Sequence, residues 1–322
     1  MTEPAVADAK YQPAYVQTPP IFAWPPRLLA SLKYLTLGML YPWGFFYLLI
    51  AVPTWAYLTP SLQTMATFEP GWLALLWIRN CVFICLFAGA LQWHFHIRKA
   101  QDAKYRINRK ELSENNPLFL WGNQVRDNMF WTIASGVTVW TAYEAVTWWM
   151  YANGRVVLEY NLIWFVASIY ILFFWSTFNF YCVHRVLHFP GVYKHVHELH
   201  HRNVDVGPWS GISMHPVEHL LYFTPFVLWW FVPVHPVIIL ITGFYQALNP
   251  ALSHSGYDYL EVGPLKLKTG DWFHQLHHQY FNLNYGNTPT PIDKVFGSWH
   301  DGSRESMKIQ QARIRERRRQ SA

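Results

Sequence analysis

Charge is scarce in this chain: of 322 residues only 14% are Asp, Glu, Lys or Arg, against about 25% in ordinary soluble domains. With 52% apolar and 18% aromatic residues beside it, that shortage excludes a solvated surface over most of the molecule and points to a chain that faces lipid. Cysteine is scarcer still. Cys81, Cys85 and Cys182 are the whole complement, each inside an apolar run, which excludes a disulfide framework and a thiolate zinc site. The polar, Pro-rich segment 1–27 lacks the basic start and small-residue cleavage site of a secretory signal, so it is expected to stay on the protein as a disordered or interfacial lead. There is no internal repeat and no H-E-x-x-H zinc-protease string. The nearest, His197-Glu198-Leu199-His200, is one residue short of the i, i+4 ligand pair.

What is present are long apolar runs. Leu28 to Leu58 (broken at Pro42 and Pro53), Gly71 to Trp93, Met129 to Met150 and Leu162 to Val183 are each long enough to cross a hydrocarbon core of roughly 30 Å. Four crossings are therefore expected within 28–183. A fifth apolar stretch, Leu220 to Leu248, is interrupted by Pro225, Pro233 and Pro236 and reads as a re-entrant or interfacial helical hairpin, a lid or an anchor rich in Phe226, Trp229, Trp230 and Phe231. The loop 94–126 carries Arg98, Lys99, Lys104, Arg106, Arg109 and Lys110, whereas Ala51 to Gly71 has no Lys or Arg and Tyr151 to Asn161 only Arg155. Positive loops stay in the cytoplasm, so both termini and everything after Val183 are expected there, in a bacterial inner membrane or the endoplasmic reticulum. The basic tail 307–322, with Arg313, Arg315, Arg317, Arg318 and Arg319, agrees with that side; it reads equally as a solvated end or as a segment lying on anionic lipid. Arg79 and Glu144 fall inside apolar runs, where they either pair or snorkel outward separately.

Histidine is the informative residue. Thirteen of the sixteen fall between His184 and His278, in three clusters: His184-x-x-x-His188, His197-x-x-His200-His201 and His274-x-x-His277-His278. Residues three and four apart share a helix face, so each cluster can aim its rings at one point, and neutral imidazole is a ready ligand for zinc, copper and iron. His215 and His254 are further candidate ligands. Ten imidazoles exceed what one tetrahedral zinc takes, so two metals are the simpler fit. His219 can replace His215 or support it, and His195 lies on another face. His94, His96, His235 and His300 read as ordinary core or interfacial histidines. Carboxylates are few here, and Glu218 and Asp271 are the candidates to orient imidazole N–H groups. The helix face behind His184 runs back through Phe180, Thr177 and Phe173, either as ordinary packing or as the lining of a lipid entry.

The order of these clusters, with His215-Pro216-x-Glu218, His254-Ser255-Gly256-Tyr257, Asn284-Tyr285-Gly286 and Asp293-x-x-Phe296-Gly297, resembles the sterol desaturase branch of the fatty acid hydroxylase superfamily over about 115 residues. The resemblance implies an integral membrane enzyme that uses two histidine-bound iron ions, O2 and two electrons to hydroxylate or desaturate an unactivated C–H position of a lipid. Zinc is a possible substitute in purified protein. Carried over, the ligands and catalytic centre are His184, His188, His197, His200, His201, His274, His277 and His278, with His254 and His215 as further metal ligands. Asn284 and Gly286 would form a structural turn beside the last cluster. A separate ferredoxin- or cytochrome b5-type donor with its reductase is expected, and no nucleic-acid partner. The substrate is left open among sterol- or hopanoid-like ring lipids, acyl or sphingoid chains and ether lipids, and hydroxylation is the simpler branch once a hydrogen has been abstracted. The competing classes are a membrane zinc hydrolase and a metal transporter using the same histidines. The expected architecture is all-α: four transmembrane helices, a re-entrant hairpin at 220–248, and a cytoplasmic histidine-rich cap over 184–306.

Overall fold

A computed structural model describes residues 11–320. Helices dominate it. Leu28–Gly38 and Trp43–Leu58 (α1 and α2) meet at a 44° bend, where Pro42 cannot donate to a continuing helix. Pro70–Ile97 (α3) and Leu162–Leu187 (α4) are long apolar helices, and a further long helix, Pro236–Ser253 (α5), follows later in the chain. These three are long and apolar enough to cross a membrane, and the bent pair adds a fourth if it acts as one span. Leu49, Ile78, Val82, Leu86, Ile163 and Val166 are exposed on α2, α3 and α4, a distribution that is unfavourable in water and suits a lipid-facing surface.

The stretch Met129 to Met150, expected as a crossing, lies in a helical segment running from Gln124–Trp131 through a π turn to Thr138–Ala152. It is not among the helices apolar enough to qualify, because Thr132, Ser135, Thr138, Thr141, Glu144 and Thr147 dilute it. Those polar groups are satisfied inside the protein. Arg79 donates to Glu144 across 2.5 Å, and the other Glu144 oxygen accepts from Asn80 at 3.0 Å. The Trp148 indole donates to Glu144 as well, and Arg79 reaches the Leu58 carbonyl. One buried network thus ties α2, α3 and Thr138–Ala152 together.

Pro225 and Pro236 start helices instead of splitting them, while Pro233 lies in the non-helical link between the two. Pro225 opens a 3-10 turn, Thr224–Trp230, and Pro236 opens α5, the position where its missing N–H costs nothing. α5 is consequently one continuous 18-residue helix in the middle of the protein, packed against α2, α3, α4 and Thr138–Ala152. Two glycines allow that closeness. A Cβ on Gly243 would stand 2.3 Å from the Trp140 indole nitrogen, and one on Gly211 would stand 2.4 Å from the Pro250 backbone.

A small departure from all-α is an antiparallel hairpin, Tyr259–Val262 with Leu265–Lys268, turned at Gly263 with φ of 57°. The loop 94–126 lies against this half of the chain: His96 donates to the Ser255 carbonyl at 2.9 Å, and the Arg109 and Lys110 amides donate to Asp205. The basic tail is helical, Arg304–Gln320. Of the terminal segments, residues 1–10 and 321–322 lie outside the described residues, whereas residues 11–27 run over the surface, with the Val16 amide bonded to the Asp301 carbonyl.

Candidate metal centre

Four pieces of chain bring the histidines together. α4 carries His184 in its last turn and is capped at His188. A π turn, Tyr193–His197, followed by Glu198–His201 presents three more. α5 terminates at His254. A short helix, Trp272–Tyr280 (α6), carries the last cluster, and its start is fixed by Asp271, which accepts from the Phe273 and His274 amides. Asp271 is therefore a helix cap and holds no imidazole N–H, contrary to its expected role.

The rings sort into two groups. His184, His188, His197, His201 and His277 form one, and His200, His254, His274 and His278 the other, with the donor nitrogens of each group within 4.8 Å of one another. The clusters do not map one to one onto the groups, because neighbouring residues of a helix point about 100° apart. His200 and His201 part company, as do His277 and His278.

His215 stands outside both groups. It caps the helix Pro216–Tyr222 by accepting the Val217 amide at 3.2 Å, which turns the ring away from the centre. His219 does not replace it, since its two ring nitrogens are engaged by Ser135 and by the Ile212 carbonyl. His195 is exposed and His94 faces Gln101.

The geometry inside the groups fits cations. The Nε2 atoms of His184 and His197 are 3.0 Å apart, those of His188 and His277 3.1 Å, and those of His201 and His277 3.0 Å. In the second group His278 stands 3.2 Å from both His254 and His274. Imidazole bonds of about 2.1 Å meeting at roughly right angles place neighbouring donors about 3 Å apart. The opposite ring nitrogens settle which atoms carry lone pairs. His184 and His277 each donate Nδ1–H to a backbone carbonyl, of Tyr285 and Leu283 respectively, at 2.6 Å. His254 donates to the Pro250 carbonyl at 3.0 Å and His200 to Ser213 at 3.4 Å. A carbonyl only accepts, so the Nε2 atoms of these rings are unprotonated and face one another, an arrangement that repels unless a positive charge sits between them. His197 is oriented by Glu218, 2.8 Å from its Nδ1.

Burial also keeps the imidazoles neutral. His200 is lowered to about 4, His188 and His254 to about 3, and His197, His201, His274, His277 and His278 fall well below the ordinary value, with neighbouring rings adding to the effect. Burial pushes the Glu218 carboxyl upward.

Sequence reasoning missed the two carbonyls that fix His184 and His277, because a backbone acceptor has no residue signature. The Asn284-Tyr285-Gly286 string was the available signal. Asn284 adopts a left-handed φ of 53° and its amide group donates to the Phe273 and His300 carbonyls, while Asp293 accepts the Tyr285 and Gly286 amides at 2.8 Å.

A cavity of about 60 Å³ borders both groups, lined among others by His184, His200, His274, Glu218, Ser176 and Phe180. Beside it lies a larger chamber of about 410 Å³ between the bend of α1 and α2, Phe173 of α4 and residues 14–17. The aromatic face behind His184 thus lines both spaces, with Phe180 inside and Phe173 outside, while the Thr177 hydroxyl bonds back to its own helix.

Apolar membrane-capable helices carrying two adjoining all-imidazole clusters at their ends define a class of histidine-rich membrane proteins. Residues 169–298 match the fatty acid hydroxylase family model. A Delta(7)-sterol 5(6)-desaturase of Eremothecium gossypii is 31% identical over 181 residues, covering 53% of this chain and 50% of that protein. The protein of that name from Saccharomyces cerevisiae is 29% identical over 180 residues, 52% of this chain and 47% of its own, and one from Aspergillus fumigatus is 31% identical over 137 residues, 42% and 40%. The chain spans about half the length of the curated relatives it matches. No solved structure matches it. Over residues 169–298 the chain is similar to fatty acid hydroxylases, and over about half its length to proteins named Delta(7)-sterol 5(6)-desaturase.

Proposed function

We propose that the protein is a membrane-bound non-haem di-iron oxygenase that hydroxylates or desaturates an unactivated C–H position of a lipid, with O2 and two electrons from a separate donor protein. The observation that carries this reading is the convergence of nine neutral imidazoles, eight buried and His188 half-buried, on two adjoining points beside a cavity. His184, His188, His197, His201 and His277 would hold one iron, and His200, His254, His274 and His278 the other. Iron bound there would supply the O2-dependent oxidising power that a plain C–H bond requires.

The protein's own part is placement and exclusion. The inner cavity has room on the order of a few water molecules, so a whole lipid cannot enter it. The lipid body rests in the outer chamber, and only the reacting segment reaches the histidines. Phe180, Val183, Leu187 and Met214 line the inner space and keep bulk water from the reacting carbon. Glu218 holds His197 through one oxygen; the other, Oε2, has no hydrogen-bond partner among the described residues and belongs to a cavity-lining side chain, where it is placed to take or give a proton.

In the membrane, the proposed crossings are the bent pair 28–58, Pro70–Ile97, the helical segment 124–152 and Leu162–Leu187, with Pro236–Ser253 enclosed among them and 220–235 at the interface. The polar groups of 124–152 are paired internally, which permits a crossing of modest apolarity. The basic loop 94–126 packs on the histidine-bearing half, which supports a loop and catalytic cap 184–306 on one face, and its positive charge favours the cytoplasm for that face. The relatives' names favour a sterol-like ring lipid as substrate.

Mass spectrometry of lipids from cells with and without the gene tests the reaction: a product that gains one oxygen marks hydroxylation and one that loses two hydrogens marks desaturation. Unchanged lipids, or a lipid product that forms equally well without O2, would overturn it.

A further inference from the structure

Helix α5 is buried along its whole length except at three residues, Tyr245, Asn249 and Ser253. They stand at i, i+4 and i+8, one stripe of the helix, and all three bear polar groups. The stripe borders both the inner cavity and the outer chamber, and so do Asp271 and Asn287 across from it. These five side chains form the collar where the two spaces meet. A lipid passing from the outer chamber, with Tyr41, Trp43, Tyr47 and Phe173 in its wall, towards the histidines therefore crosses this polar ring. Within that ring the Asn287 Oδ1 is buried and accepts no hydrogen bond among the described residues, a state that costs free energy unless a ligand supplies the donor.

We infer that this collar is a specificity site for a hydroxyl group carried by the lipid, with Asn287 accepting the lipid O–H and Asn249 and Ser253 flanking it. The inference rests on the lipid-oxygenase reading and deepens it by naming a group the substrate must carry. The collar also fixes where that group lies relative to the chemistry. Ser253 directly precedes His254 and its Oγ is 3.0 Å from that ring's Nδ1, and Asp271 caps the turn that holds His274. The hydroxyl is thus held beside the segments that carry His254 and His274 of the four-histidine group.

Binding, not turnover, tests this, so the result is independent of whether the chemistry is oxygenation. The purified full chain is titrated with two matched pairs: cholesterol against its methyl ether, and hexadecanol against its methyl ether. Each ether keeps an oxygen acceptor and loses the donor. The expected result is about tenfold tighter binding of the free alcohol in one pair, the size of a single well-made hydrogen bond, and the pair that discriminates identifies a ring or a chain lipid. Asn287→Leu is expected to abolish the preference while leaving ether binding and iron content unchanged. Asn249→Leu, at the opposite wall, should reduce it and serves if the first variant does not fold. Equal binding of alcohol and ether, no binding of either pair, or a preference that survives both substitutions would overturn the collar. None of those outcomes bears on iron content or on the lipid products, which test the oxygenase reading separately.

Discussion

His197 and Glu218 face each other across 2.8 Å with both side chains buried, and they come from segments that no helical spacing links. The carboxylate is what holds this imidazole in the orientation that aims Nε2 at His184. Glu218→Gln keeps the shape and removes the charge. It should lower iron affinity by about 10- to 100-fold, the usual effect of losing such a support, read as iron per chain under graded chelator competition. Retention equal to the wild type would mean that the carboxylate plays no part in holding the metal.

Alanine at His188, His200, His201, His277 or His278 should abolish both turnover and iron retention. His215→Ala and His94→Ala should leave iron content near that of the unaltered protein, because both rings are engaged elsewhere. The His215 result discriminates most sharply, since its place in the chain suggests a ligand and its orientation denies one. Iron analysis of the purified variants, with lipid products as the second readout, checks the set.

Stripping the metals should loosen the protein itself. Unprotonated nitrogens about 3 Å apart repel when nothing lies between them. Chelator treatment is expected to lower the thermal unfolding midpoint in detergent, and iron to restore it. An unchanged midpoint would indicate that the imidazoles are held apart by packing alone.

Arg79→Ala should destabilise by about 3–5 kcal/mol, because Glu144 would remain buried without its cation. The double replacement Arg79→Met with Glu144→Met should recover most of that loss. The comparison is made by thermal unfolding in detergent, and equal damage in both variants would show that the network matters for its shape and not for its charges.

Gly243→Ala places a methyl group against the Trp140 indole and should cost about 1–3 kcal/mol by overpacking. A variant as stable as the parent would mean that α5 shifts freely.

The helical character, the apolar helices and the histidine-rich half were legible in the sequence because each is a periodic or compositional signal. His184 and His188, or His274 and His278, announce themselves by spacing alone. The division into groups of five and four was not legible, because His200 and His201 are adjacent and diverge only in three dimensions. The central helix Pro236–Ser253 was hidden by Pro236, which reads as a break beside Pro233 and is the first residue of the helix. The hairpin Tyr259–Lys268 was hidden because two four-residue strands give too short an alternation to stand out. His215 carried the right residue in the right order and failed on direction, which depends on the cap it forms.

The segment Leu283-Asn284-Tyr285 hands its first and third carbonyls to His277 and His184, with a left-handed residue between them. Both imidazoles belong to the five-histidine group, so this tripeptide works as a gauge block for one metal position only. Inserting or deleting a single residue there would swing one carbonyl away and leave every ligand in place. On the di-iron reading, the expected result is a protein whose four-histidine position still binds metal while the five-histidine position binds it more weakly, so changes in loop length deserve as much scrutiny here as changes of histidine.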